Sequence, residues 1–318
     1  MKCCLKVILN DFSATSASQA SVEITNERMN MKKTLFLLII IFLASYCGAK
    51  NFMVQSFDGQ IISYNVFGKG DVALVFVHGW AGDSRYWKNQ IPAFVSKYRV
   101  VAIDSAGQGH SEQTRDVYTL EAFGKDVKAV VDDINATKVI LIGHSMGDGV
   151  IAEAAKLMPE KVIGLIGVDT INNLEQSMPK EEFEKLISGM EKEFKAEVRN
   201  FIEPMLGKNM KPELRKWIVD DICCQNPQVG ISAVKEYITR YDNLGMANTY
   251  KQVRVPVRCI NSDLYPTSPE VNRKYITSFD VVIMPGCGHF PMMERPEEFN
   301  KHLHKYVKEL ISLSKTKK

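Results

Sequence analysis

The sequence has no C-x-x-C pair, no basic run interleaved with aromatics, and no apolar stretch of the roughly 20 residues that a membrane-crossing helix needs. Each absence removes a class. Without paired cysteines at metal spacing there is no zinc module, and Cys3, Cys4, Cys47, Cys223, Cys224, Cys259 and Cys287 are not spaced as the disulfide framework of a small secreted domain. His302 and His304 share a helical stretch with no further ligand at metal spacing, so no metal and no cofactor is expected. A net charge of +3 over 318 residues is too small to argue for a nucleic-acid partner. Cys259 lies in a predicted buried strand, where a thiol acts as a small hydrophobe. Cys287, two residues before His289, is read as a small residue filling that loop rather than as a redox group.

The longest apolar run that is present is short. Met31-Lys32-Lys33 leads into Leu35–Ala44 and then Ser45-Tyr46-Cys47-Gly48-Ala49, a basic start, an apolar middle and a small-residue exit. That is the pattern of an export signal, with cleavage after Ala49 leaving Lys50 at the mature start. Two alternatives stay open: lipidation at Cys47, to which Tyr46 is a poor neighbour, and an uncleaved anchor. Residues 1–30 are polar and aperiodic, and are read as disordered or absent from the natural protein, with translation starting at Met31 or Met29. The expected location is therefore outside the cytoplasm: periplasmic, secreted or membrane-anchored.

From Phe52 onward strands and helices alternate. Phe52–Phe57 and Ile61–Phe67 flank Asp58-Gly59 and predict an antiparallel hairpin. Val72–Val77, Arg99–Ile103, Lys138–Ile142 and Val162–Val168 are apolar enough to be strands covered on both faces. Leu120–Ile134 and Val150–Leu157 have helical spacing. The predicted architecture is a mostly parallel sheet with helices on both faces. Between Thr170 and about Tyr250 no buried strand occurs. Pro179–Leu206, Pro212–Cys224 and Val229–Leu244 read as helices, so 170–250 is predicted to be an all-helical insertion. The core is then 50–169 together with 251–318.

The chemistry centres on Gly143-His144-Ser145-Met146-Gly147, which joins a buried strand to a helix. A G-x-S-x-G turn in that setting is sharp enough to expose the serine hydroxyl. It also places the Met146 N–H at a helix N-terminus, where it can donate to an oxyanion. Asp148, next in the helix, suits the helix dipole; the other reading is that it crowds the turn and sets negative charge near the oxyanion. Three further strand ends carry chemical groups: His78-Gly79-Trp80, Asp263 after Pro256–Ser262, and His289 after Val281–Met284. Asp169 also follows a strand.

With Tyr86-Trp87 before Ile91-Pro92, Asp104-x-x-Gly107-x-Gly109-x-Ser111, and Gly288-His289-Phe290, the chain from about Phe52 to Leu313 resembles the α/β-hydrolase superfamily. The resemblance implies a catalytic triad of Ser145, Asp263 and His289 in that chain order, with backbone donors from Trp80 and Met146 forming the oxyanion hole. Asp169 is the alternative acid, because some members draw it from that strand; its other reading is a capping carboxylate at the entrance to the insertion. The resemblance makes the insertion a cap over the site. Serine at 145 points away from the epoxide hydrolases and dehalogenases of the superfamily, which carry aspartate there. The expected function is an exported serine hydrolase acting on a small acyl substrate. The alternatives are a capped ligand-binding sensor, an aminopeptidase, and a cofactor-free perhydrolase.

Overall fold

The computed structural model describes residues 50–316. The expected leader, its cleavage site, the Cys47 anchor and residues 1–30 lie outside the described residues. Eight strands form one sheet in the order β1-β2-β4-β3-β5-β6-β7-β8. They are β1 (Lys50–Gln55), β2 (Ile61–Phe67), β3 (Val72–Val77), β4 (Arg99–Ile103), β5 (Lys138–His144), β6 (Val162–Val168), β7 (Val257–Ser262) and β8 (Phe279–Met284). β2 runs antiparallel to β4, and every pairing from β4 through β8 is parallel.

The helices in chain order are α1 (Ile91–Phe94), α2 (Leu120–Asp133), α3 (Met146–Leu157), α4 (Lys180–Ile202), α5 (Pro212–Cys223), α6 (Pro227–Asp242), α7 (Gly245–Tyr250), α8 (Pro269–Asn272), α9 (Pro291–Glu294) and α10 (Pro296–Thr316). Ser84–Trp87 form a 3₁₀ turn that is followed by α1. Pro92 falls in the first turn of α1, where its missing N–H leaves no helical bond unmade.

Period-2 alternation explains why the central strands carry no polar face. In β3, Ala73, Val75 and Val77 enter one apolar core while Leu74 and Phe76 enter the other. The first core packs Phe123, Val127 and Val130 of α2 with Val150 and Ile151 of α3; the second packs Trp87 and Phe94 with Phe299, Leu303 and Leu310 of α10. A strand apolar on both faces can only sit between two helical layers.

Helices α4 to α7 are inserted between β6 and β7. α4 breaks at Glu193 (φ −140°, ψ 66°), and Phe194 and Val198 just beyond the break are buried in the second core. The insertion is moored to the core by polar bonds. Trp80 Nε1–H donates to the Gly230 carbonyl at 2.8 Å, the Tyr118 N–H donates to Ser232 Oγ at 2.9 Å, and Arg85 pairs with Asp221. Among the described residues, no helix is long and apolar enough to cross a membrane.

Candidate active site

Ser145 stands between β5 and α3 with φ 51° and ψ −120°. A non-glycine residue at positive φ costs on the order of 1–3 kcal/mol and persists only where its surroundings enforce it. Here the Ser145 N–H donates to the Val168 carbonyl at 3.0 Å, and the Asp148 N–H donates to the Ser145 carbonyl at 3.0 Å. The flanking glycines let the backbone close. A Cβ on Gly143 would lie 2.4 Å from the Gly147 carbonyl oxygen, and one on Gly147 would lie 2.5 Å from the carbonyl oxygen of His78. Both obstacles are backbone and cannot swing away. Gly147→Ala is therefore expected to destabilise the fold by about 2–3 kcal/mol, a Tm loss of roughly 5–10 °C. An unchanged Tm in thermal denaturation would count against this packing.

The Met146 N–H belongs to the first residue of α3 and has no partner within its helix. Trp80 follows His78-Gly79 at the end of β3. His78 Nε2 accepts the Ser105 N–H at 3.0 Å, so its Nδ1 carries the proton and donates to the Gly79 carbonyl at 2.8 Å, locking that loop. Among the described residues neither the Trp80 nor the Met146 N–H is used by another acceptor. Both residues line a cavity of about 630 Å³, together with Ser145, Asp169 and His289.

The histidine is oriented by Asp169. His289 Nδ1–H donates to Asp169 Oδ2 at 2.6 Å, and the Ser262 N–H donates to Asp169 Oδ1 at 2.7 Å. Asp169 is 3 % exposed. Burial pulls its carboxyl upward, but the bonds from His289 and Ser262 outweigh that and hold it below the ordinary carboxylate value. The expectation that Asp263 fills this role is corrected by the geometry. Asp263 lies one residue beyond β7, is exposed, and accepts the Gly286 N–H at 2.8 Å, capping the loop that leads to His289. The capping reading therefore belongs to Asp263, and the acid position to Asp169.

With Nδ1 committed to Asp169, His289 has Nε2 left for the serine side of the cavity. Among the described residues no hydrogen bond joins Ser145 Oγ to that ring, although both groups line the cavity. Bonds of this kind commonly tighten only when substrate is bound.

His144, the second residue of the turn, carries a role that the sequence does not disclose. Its Nε2 donates to the His289 carbonyl at 2.7 Å, and its Nδ1 lies so near Gly79 that a Cβ there would come within 2.6 Å. One imidazole thus spaces the oxyanion loop from the base loop. Burial, followed by the neighbouring His289, pushes its pKa down to about 3, so it stays uncharged. Asn261 is a second such residue: its side-chain oxygen accepts the Thr170 N–H at 3.2 Å and its amide donates to the Thr170 carbonyl at 2.7 Å. It clamps the turn that carries Asp169.

Cys223, Cys224, Cys259 and Cys287 carry free thiols. Burial pushes the Cys259 and Cys287 thiols up, away from the reactive thiolate form. Among the described residues no three His, Cys, Asp or Glu side chains converge to hold a metal ion.

Residues 72–215 match a family model described as the alpha/beta hydrolase fold. The chain is 24% identical over 253 residues to a karrikin insensitive 2 receptor of Petunia hybrida, covering 75% of this chain and 91% of that protein. It is 25% identical over 276 residues to a bifunctional esterase/perhydrolase of Acinetobacter calcoaceticus, covering 80% of this chain and 99% of that protein. A bromoperoxidase structure from Bacillus anthracis superposes with a TM-score of 0.73 at 21% identity, over 81% of this chain and 100% of that one.

Proposed function

The chain belongs to the α/β-hydrolase superfamily, and on that premise we propose that it is a serine hydrolase cleaving small uncharged esters and related acyl compounds through an acyl-enzyme. The relatives make it a hydrolase of the esterase and perhydrolase kind. What carries the finer reading is the 2.6 Å bond from His289 to buried Asp169 in the cavity that also holds Ser145.

A serine hydroxyl is a weak nucleophile until a base takes its proton. His289 Nε2 accepts that proton as Oγ attacks the acyl carbon, and returns it to the departing alcohol. Asp169 fixes the imidazole tautomer and stabilises the imidazolium while it exists. The N–H groups of Trp80 and Met146 hold the tetrahedral oxyanion, each such donor being worth about 3–4 kcal/mol of transition-state stabilisation. Water activated by the same histidine then releases the acid.

The insertion supplies an apolar wall through Phe201, Met205, Val234 and Ile238, and acts as a cap. No lysine or arginine is among the described residues lining the cavity, while Glu182 and Asp242 are, so no cation there favours an anionic substrate. The basic, apolar and small-residue order of residues 31–49 supports a reaction outside the cytoplasm.

A fluorophosphonate probe is expected to label the protein once, at Ser145, with p-nitrophenyl acetate and butyrate turned over faster than a hemisuccinate of equal length. Failure to form the adduct removes the serine mechanism. The match to a plant receptor favours a second reading, a ligand sensor. Tight ligand binding with fewer than one turnover per hour would select it.

A further inference from the structure

His289 hangs from a loop whose backbone is held on several sides. The Gly286 N–H goes to Asp263, the His289 N–H to the Met205 carbonyl, and the His289 carbonyl accepts from His144. The Gly288 N–H, one residue before the base, donates to Glu294 and engages both carboxyl oxygens, at 3.1 Å each. Glu294 is the last residue of α9 and reaches back over that short helix. It is not among the residues lining the cavity, so it is not placed to touch substrate. Its neighbour Arg295 is turned elsewhere, to Glu298 and the Pro285 carbonyl.

The room for that carboxyl group is provided by the insertion. Gly207 lies between α4 and α5, and its carbonyl accepts from Arg215 of α5 at 3.0 Å. A Cβ on Gly207 would run into Glu294 Oε2 and lie 2.9 Å from the Gly288 nitrogen. A Cβ on Gly288 would run into the Gly207 nitrogen, and would lie 2.6 Å from the Met205 carbonyl oxygen and 2.8 Å from Glu294 Oε1. Neither glycine has a positive φ, so close approach rather than a turn calls for them. Two bare backbones, one from the insertion and one from the base loop, press together with the Glu294 carboxyl group wedged beside them.

We propose that Glu294 is a positioning residue for the catalytic base: it holds the Gly288–His289 backbone at the depth from which the imidazole meets Ser145, and the bare backbone of Gly207 in the insertion leaves room for it.

The bond to Asp169 fixes the tilt of the His289 ring, but it does not fix how far the ring's own backbone stands from the serine. With its N–H unclaimed, the peptide at Gly288 is free to turn, and Nε2 moves with it. A displacement of about 1 Å at a reacting group can cost about a hundredfold in rate.

The turnover arm of the test rests on the serine-hydrolase reading, and the spectroscopic arm does not. Glu294→Ala is expected to lower kcat for p-nitrophenyl butyrate about a hundredfold, with KM within about twofold of wild type. Glu294→Gln keeps an oxygen for the Gly288 N–H and should retain kcat within about fivefold. Gly207→Ala drives the carboxyl group off Gly288 while leaving Glu294 in the chain, and should match Glu294→Ala. Combining those two changes should be no worse than either alone, because both remove the same bond; independent roles would multiply to a loss of about 10⁴. Independently of turnover, the low-field proton resonance of His289 Nδ1–H, which donates to Asp169 at 2.6 Å, should shift or broaden in Glu294→Ala and Gly207→Ala and stay in place in Glu294→Gln. A Glu294 that served stability alone would lower Tm and leave kcat of the folded protein and that resonance unchanged. That result, or losses that multiply in the double variant, overturns the proposal. If wild-type protein hydrolyses no ester, the resonance alone decides.

Discussion

Ser145→Ala is expected to lower kcat by five to six orders of magnitude, with KM and Tm unchanged and no fluorophosphonate adduct. Ser145 sits on the strained turn in the cavity that also holds His289, and none of the four described cysteines lines that cavity. Removing a nucleophile of this kind costs about 10⁶ in kcat, and the oxyanion donors and substrate binding leave a residual 10³–10⁴ over water. Alanine at 145 adds no atom to the tight contacts of Gly143 and Gly147, so the fold should survive. Single-turnover hydrolysis of p-nitrophenyl butyrate resolves five decades, and a loss below about tenfold would place the chemistry elsewhere.

The second large effect separates two aspartates. Asp169→Asn should reduce kcat by about 10⁴, whereas Asp263→Asn should change it by less than threefold. The amide at 169 would turn an N–H₂ or a weak carbonyl toward His289 Nδ1, which favours the wrong imidazole tautomer and withdraws the charge that balances the imidazolium. The 2.6 Å bond and the 3 % exposure leave no room for water to substitute. Asp263 accepts one backbone N–H, from Gly286, and an asparagine oxygen can accept it equally well. Side-by-side kcat measurements on the two variants settle the assignment, and equal losses would mean that the loop holding His289 depends on both.

The sequence points to Asp263 as the partner of His289, where the structure places Asp169. The strands were readable because Val72–Val77, Lys138–Ile142 and Val162–Val168 are apolar on both faces, and only a sandwiched sheet accommodates that. The turn at Ser145 was readable because two glycines at fixed spacing answer a steric demand from the His78 and Gly147 backbones. The acid was not. Both Asp169 and Asp263 follow a strand, and strand ends alone do not say which carboxylate turns inward. That depends on the left-handed backbone at Asp169, on the Asn261 clamp and on the Ser262 N–H, none of which has a period or a motif. His144 was hidden for the same reason: inside the motif it occupies a variable position, and its contact with the His289 carbonyl spans 145 residues of chain.

The mooring of the insertion ends on the reactive loops themselves. Trp80 gives its indole hydrogen to Gly230, and the His289 N–H donates to the Met205 carbonyl at 2.8 Å. Two loops that line the cavity beside Ser145 thus take part of their support from the inserted helices, so shape at the cavity floor and packing of the insertion are tied together.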